Sequence, residues 1–236
     1  MAIRIEDLII YEDEQFVAVN KPSGLLTIPD REGVPGVRNL LQERYGAIFT
    51  VHRLDRDTSG LVVFARNEEA HRHLSMQFES RATNKTYYGL VLGTPYNAEG
   101  IINEPIAEHP TKKGTMTVWR KGKESITEYV VEERFRLFSW MRYRILTGRT
   151  HQIRVHMKHI GHPIVCDPLY GDGKPVFLSQ FRARFKIGKF EEERPLLNRL
   201  ALHAGALTFQ GLDGTDITIE APISKDMKAT LQQLRK

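Results

Sequence analysis

Cysteine occurs once in the 236 residues, at Cys166, which excludes an internal disulfide framework and a cysteine-rich zinc site. A lone thiol fits a reducing compartment, so a cytoplasmic location is the expectation. Long apolar runs are missing too: nothing approaches the ~18 apolar residues of a membrane span. The first ten residues carry Arg4, Glu6 and Asp7 where a secretory signal needs an apolar centre, and no membrane partner is expected. No segment repeats at a period of about 20 to 50 residues, so the chain is not a solenoid. A nucleotide-binding loop is also absent, because the turn Asn20-Lys21-Pro22-Ser23-Gly24-Leu25-Leu26 matches neither Gly-x-x-x-x-Gly-Lys-Ser/Thr nor Gly-x-Gly-x-x-Gly. What is present is a mild basic excess, 34 Lys and Arg against 29 Asp and Glu, which biases the surface towards polyanions such as nucleic acid.

The length allows one large domain or two small ones, and no shift of composition marks a linker. The expectation is a single domain over residues 1–236. β-branched and aromatic runs predict strands at 8–11, 16–19, 61–65, 86–92, 126–132, 141–146, 202–209 and 216–220. Helices are predicted at 37–45, stopped by Gly46, and after Asn67, where Ala70, Leu74 and Phe78 share one face. A last helix is predicted at 225–234. Strands outnumber helices without regular alternation, which gives an α+β fold with a mixed, mostly antiparallel sheet.

Three stretches carry chemistry. His52-Arg53-Leu54-Asp55-Arg56-Asp57-Thr58-Ser59-Gly60 sets a carboxylate between two guanidiniums just before a strand, either as a structural ion cluster or as a site that keeps a carboxylate ionised. Lys85-Thr86-Tyr87-Tyr88 opens a strand in which adjacent tyrosines face opposite sides. In Thr147 to Pro163, Thr150 is the expected cap of a helix that Gly161 and Pro163 end; Ile153, Met157 and Ile160 form its apolar stripe and His151, Arg154 and Lys158 its polar face. Taken alone, that helix reads as basic and solvated. Its histidines lack metal-ligand spacing, so no metal site is expected.

Together these pieces resemble the RluA family of RNA pseudouridine synthases. That family carries a Lys-Pro-x-Gly turn, a His-Arg-Leu-Asp-x-x-Thr-Ser-Gly loop, a Lys-x-Tyr strand and a Gly-Arg-x-His-Gln-Ile/Leu-Arg-x-His helix in the same order. The likeness continues through Gly161-His162-Pro163-Ile164-Val165-Cys166-Asp167-Pro168-Leu169-Tyr170-Gly171 and Leu202-His203-Ala204. Cys166 replaces a usual glycine, and Gly89 stands where alanine is common.

The resemblance implies a pseudouridine synthase fold with a central RNA-binding cleft. It makes Asp55 the essential carboxylate, Arg154 its ion-pair partner, Tyr87 the ring against the target base, and Arg53 a filler of the gap left by the flipped uridine. His52, Thr58, Lys85, Arg149, His151, Gln152, Ile153 and Lys21 lie in the same motifs and are expected to bind substrate. The isomerisation changes no redox state and implies no cofactor. RNA is the implied partner, as ribosomal RNA of the large subunit or a tRNA anticodon stem-loop, and a monomer is the default. The short architecture and Pro-Ser-Gly-Leu-Leu turn look most like the family's short single-domain subgroup.

Two basic stretches interleaved with aromatics, 112–123 and 181–190, are either grips for RNA or exposed segments with solvated lysines. The second is expected to help select substrate through Arg182, Arg184 and Lys186. A non-catalytic RNA-binding module is disfavoured by the intact Asp55, Tyr87 and Arg154. An aspartic protease is disfavoured because Asp57-Thr58-Ser59-Gly60 has one residue too many for that signature.

Overall fold

A computed structural model describes residues 3–182 and 192–236. In chain order the elements are β1 (Ile9–Glu12), β2 (Phe16–Lys21), α1 (Val37–Tyr45), β3 (Phe49–Thr50), β4 (Ser59–Ala65), α2 (Glu68–Glu79) and β5 (Asn84–Leu92). There follow β6 (Glu99–Asn103), β7 (Ile106–Glu108), β8 (Met116–Val118), β9 (Ile126–Arg134), β10 (Phe138–Ile145) and α3 (Gln152–His159). The chain ends with β11 (Leu202–Gln210), β12 (Asp216–Glu220) and α4 (Lys225–Leu234). The expected α+β class with a mixed sheet is what is found, and α1 and α4 have the predicted bounds.

The chain forms two compact units, one of residues 1–87 and 203–222, the other of 88–202 and 223–236. In the first, the strand order is β1-β2-β4-β11, with β12 on β11 and β3 on β4. β1, β2 and β4 pair antiparallel, whereas β4 and β11 pair parallel through His203 with Ser59 and Ala204 with Gly60. All seven residues of β4 are buried, which its unbroken Leu-Val-Val-Phe-Ala run requires, since a strand covered on both faces has no use for polar alternation. α1 adds Val37 and Leu41 to this core, and α2 adds Ala70 and Leu74. Phe16 meets Phe209 edge-on with ring centroids 5.0 Å apart. The predicted cap of α2 forms, Asn67 accepting from the Ala70 N–H at 2.9 Å.

In the second unit β5, β10, β9 and β6 lie in that order, and β7 and β8 make a separate hairpin. The sequence did not reveal β6, β7 or β8. β7 and β8 have three residues each, too few to show a period, and β6 has only Ile101 and Ile102 as apolar residues, with Ile101 exposed.

Candidate active site

Seven of the expected site residues belong to the first unit. Asp55 sits in the loop between β3 and β4, and the turn after β2 fastens that loop residue by residue. Lys21 is fully buried, and its ammonium donates to the carbonyls of Pro22, Leu25 and Arg56 at 3.1, 2.8 and 2.9 Å. The Gly24 N–H also donates to the Arg56 carbonyl, at 2.9 Å, while Arg56 Nε returns a bond to the Gly24 carbonyl at 3.1 Å. Ser23 Oγ donates to the Asp57 carbonyl at 2.7 Å. On the other side, Thr27 Oγ1 donates to the Leu54 carbonyl at 3.1 Å and accepts from the Leu54 N–H at 3.2 Å. Residues 54, 56 and 57 are therefore all anchored, and the half-buried Asp55 between them is aimed by backbone that has little freedom left.

The rest of the motif prepares this loop. The Thr58 N–H closes a turn onto the Asp55 carbonyl at 3.2 Å, and Thr58 itself is 3% exposed. Gly60 has φ +114°, and a Cβ there would collide with the backbone of Ala204; only glycine lets β4 start beside β11. Ser59 Oγ bonds His203 Nδ1 at 3.0 Å. His52 Nε2 accepts from the Val63 N–H at 3.0 Å, and burial first, then the charge of Lys85, pulls its pKa down to about 3. Its ring stacks on Phe78 with centroids 4.8 Å apart, and the Lys85 ammonium lies 5.7 Å from the same ring. Lys85 is also lowered, by burial and then by Arg81. Arg53 is exposed.

The two tyrosines part as the strand pleat demands. Tyr88 stacks on Trp140 with centroids 5.8 Å apart, whereas Tyr87 packs against the core of the first unit. The Tyr87 phenol is raised well above the ordinary tyrosine value, by burial and then by the charge of Asp55. It stays protonated and offers a ring surface rather than a base.

Arg149, His151, Gln152, Ile153 and Arg154 belong to the second unit. α3 begins at Gln152, with His151 at the N-cap in the left-handed region (φ 56°, ψ 20°) and no side-chain cap, so the expected Thr150 cap is not formed. Gln152 fixes the loop ahead of the helix. The amide is 3% exposed; its oxygen accepts from Thr147 Oγ1 at 2.7 Å and the Arg149 N–H at 3.1 Å. Its nitrogen donates to the Ile126 carbonyl at 2.9 Å and Thr127 Oγ1 at 3.0 Å. Gln152 thus ties the loop carrying Arg149 to β9, and Arg149 Nε donates to the Glu124 carbonyl at 2.9 Å. Ile153 is 4% exposed, in the apolar stripe.

The polar face of α3 exists but is not solvated as a whole. Tyr170 lies against it: His151 Nδ1 bonds the Tyr170 hydroxyl at 2.7 Å, and the Arg154 and Lys158 cations lie 5.1 and 5.8 Å from the Tyr170 ring centre. Arg154 is 2% exposed and makes a two-pronged ion pair with Asp167, Nε to Oδ2 at 2.7 Å and Nη2 to Oδ1 at 2.8 Å. His156 bonds Thr127 Oγ1 and the Glu104 carbonyl, each at 2.9 Å, and His162 bonds the Leu92 carbonyl at 2.9 Å, so both rings are engaged structurally. Thr27, Asp167 and Tyr170 were not among the expected site residues. The last two stand in the Gly161 to Gly171 motif, whose presence was the available signal; Thr27 had none.

The family model for RNA pseudouridylate synthase matches residues 15–159. Ribosomal large subunit pseudouridine synthase D of Escherichia coli is 38% identical over 243 residues, covering 96% of this chain and 70% of the relative. Human RNA pseudouridylate synthase domain containing 1 has a similar structure, with TM-score 0.73 and 26% identity over 100% of this chain and 97% of that one. Human RNA pseudouridylate synthase domain containing 4 has TM-score 0.75 at 22% identity over 98% and 94% of the two chains, a likeness of fold. The matched span takes in the Asp55 loop, the Tyr87 strand and the Arg154 helix, and the chain belongs to the RluA family of RNA pseudouridine synthases.

Proposed function

We propose that this protein isomerises uridine to pseudouridine in large-subunit ribosomal RNA, acting as a cytoplasmic monomer without a cofactor. The ribosomal substrate is suggested by the relative from Escherichia coli, which is named for the large subunit. The observation that carries the reading is Asp55: a carboxylate on a loop whose neighbours Leu54, Arg56 and Asp57 are each hydrogen-bonded to the 21–27 turn. The reaction breaks the bond from N1 to C1′ and forms one from C5 to C1′. It asks for a carboxylate held ionised near the sugar, acting as nucleophile or as base.

In this reading Asp55 does the chemistry, Arg154 supplies the countercharge and Tyr87 the ring against the base. Arg53, exposed and adjacent, fills the stack vacated by the flipped uridine, a process that costs a few kcal/mol. Lys21, His52, Thr58 and Lys85 act by holding the Asp55 loop, and Gln152 and Ile153 by setting α3 beneath Arg149 and His151. The stretch 112–123 contributes phosphate contacts, its Trp119 being 54% exposed. Of the stretch 181–190, residues 183–190, including Arg184 and Lys186, lie outside the described residues.

The test is tritium release from 5-tritiated uridine in unmodified large-subunit rRNA and tRNA transcripts, with wild type and Asp55→Asn. Release from rRNA by wild type alone is expected. Undiminished release by Asp55→Asn removes Asp55 from its role, and release from tRNA only overturns the ribosomal assignment.

A further inference from the structure

In the second unit the β7–β8 hairpin folds against α3. Ile106, Val155 and Tyr170 are buried together, with Met116 and Val118 packed on them, and the Met116 N–H donates to the Tyr170 hydroxyl at 2.8 Å. Hairpin and helix enclose a cavity of about 300 Å³. His109 and Lys112 reach its wall from the hairpin and Lys158 and His159 from α3, and among the described residues no Asp or Glu lines it. Across the whole chain acidic residues nearly match lysine and arginine, 29 to 34, so a wall with two lysines and two histidines but no acid among its described residues is a local separation of charge. Such a concavity concentrates anions.

The cavity is also set in advance. The His109 N–H donates to the Thr115 carbonyl at 2.9 Å, and Thr115 Oγ1 donates to the Lys112 carbonyl at 2.7 Å. His109 Nδ1 accepts from the Thr111 and Lys112 N–H groups at 3.3 and 3.2 Å, which leaves Nε2 as the ring nitrogen that can donate. Lys158 is steadied by its place over the Tyr170 ring. Groups fixed before binding lose less entropy when a ligand arrives. Met116, Val118 and the 45% exposed Leu169 add an apolar surface beside these donors. The volume is at the small end of the roughly 300–1,000 Å³ of ligand sites, matching one nucleotide unit.

Building on the RNA synthase reading, we propose that this cavity is a subsite for the RNA substrate outside the target uridine. It holds one backbone phosphate between Lys112 and Lys158, with the attached sugar and base edge against Leu169 and Met116.

Equilibrium binding of an unmodified large-subunit rRNA transcript over a salt series tests it. Lys112→Gln/Lys158→Gln should weaken binding about tenfold and reduce the log–log salt slope by about 0.7 to 0.9 for the lost phosphate. Lys225→Gln/Lys228→Gln on α4 removes the same charge elsewhere and should change both less. Equal effects of the two double variants overturn the proposal. So does loss of inorganic phosphate binding with the RNA slope unchanged, which would make this a site for free anions. Leu169→Glu puts a carboxylate at an exposed position of the wall; it should weaken binding as well, and it decides the matter if the double variant fails to fold. Binding is read without turnover, so absence of tritium release would sink the synthase reading while the salt slope still judges this subsite.

Discussion

Arg154 and Asp167 form a two-pronged ion pair with side chains only 2% and 0% exposed. Asp167 Oδ1 also accepts from the N–H groups of Leu169 and Tyr170 at 2.9 and 3.1 Å, so one carboxylate orients both the guanidinium and the turn that brings Tyr170 to α3. Asp167→Ala removes the acceptors of Nε and Nη2 and should destabilise the protein by about 3–5 kcal/mol, the usual penalty for stranding half of a buried pair. Asp167→Asn, which keeps an oxygen for the turn, should lose less. Urea unfolding of the two variants checks the order, and an alanine variant as stable as wild type removes the pair from the list of what holds this unit together.

Thr27 offers a subtler test because it touches no proposed reacting group. Its hydroxyl serves both the N–H and the carbonyl of Leu54, and it is 3% exposed. Thr27→Val keeps the shape and leaves two buried backbone groups without that partner, a loss of about 1–3 kcal/mol. The Asp55 loop should then wander, and kcat for tritium release should fall about tenfold, equivalent to ~1.4 kcal/mol of barrier, with KM nearly unchanged. A variant that loses stability but keeps kcat shows that Thr27 is structural and does not aim Asp55.

The sequence showed local features well and partnerships poorly. The β4 run and the Asn67 cap follow from residue type and short spacing, and both formed. So did the split between Tyr87 and Tyr88, which the alternating pleat requires. The Arg154 to Asp167 pair escaped because 13 residues separate the partners and nothing in helical periodicity says what packs on a polar face. For the same reason α3 read as a solvated helix until Tyr170 was seen against it. Thr150 was the preferred residue type for an N-cap, but His151 takes the N-cap position in the left-handed region without a side-chain cap, while the long Gln152 side chain reaches back to the Arg149 N–H and fixes the loop ahead of the helix.

Cys166, which stands where the family usually has glycine, lies at φ +58°. The left-handed region strains any side chain by ~1–2 kcal/mol, which accounts for a glycine there. The thiol is buried, donates to the Leu197 carbonyl at 3.5 Å, and is pushed up to about 11 chiefly by burial. Cys166→Gly should remain within about 1 kcal/mol of wild type, relief of strain offsetting lost packing, whereas the β-branched Cys166→Val should be clearly less stable. Native wild type should react with a disulfide reagent at pH 8 roughly a hundredfold more slowly than the unfolded chain, because the thiolate is the reactive form. Equal rates would show that the thiol is neither buried nor perturbed.

His52 gives the fold a dependence on acid. Its pKa falls from 6.5 to about 3 in the folded state, where Nε2 is already the acceptor for the Val63 N–H and the Lys85 ammonium disfavours a second charge. The unfolded chain takes up a proton as the pH drops below 6.5 and the folded chain does not. Stability is therefore complete above 6.5 and is lost as the pH falls towards 3, at up to about 1.4 kcal/mol per pH unit from this ring. His156, lowered mainly by burial, adds to the same trend. His52→Gln can still present an oxygen to Val63 but does not titrate, so its urea-unfolding free energy should fall less steeply below pH 6.5 than that of wild type. Parallel pH profiles for the two proteins would mean that His52 binds its proton as readily folded as unfolded, and the acid sensitivity would then rest with His156 and the carboxylates.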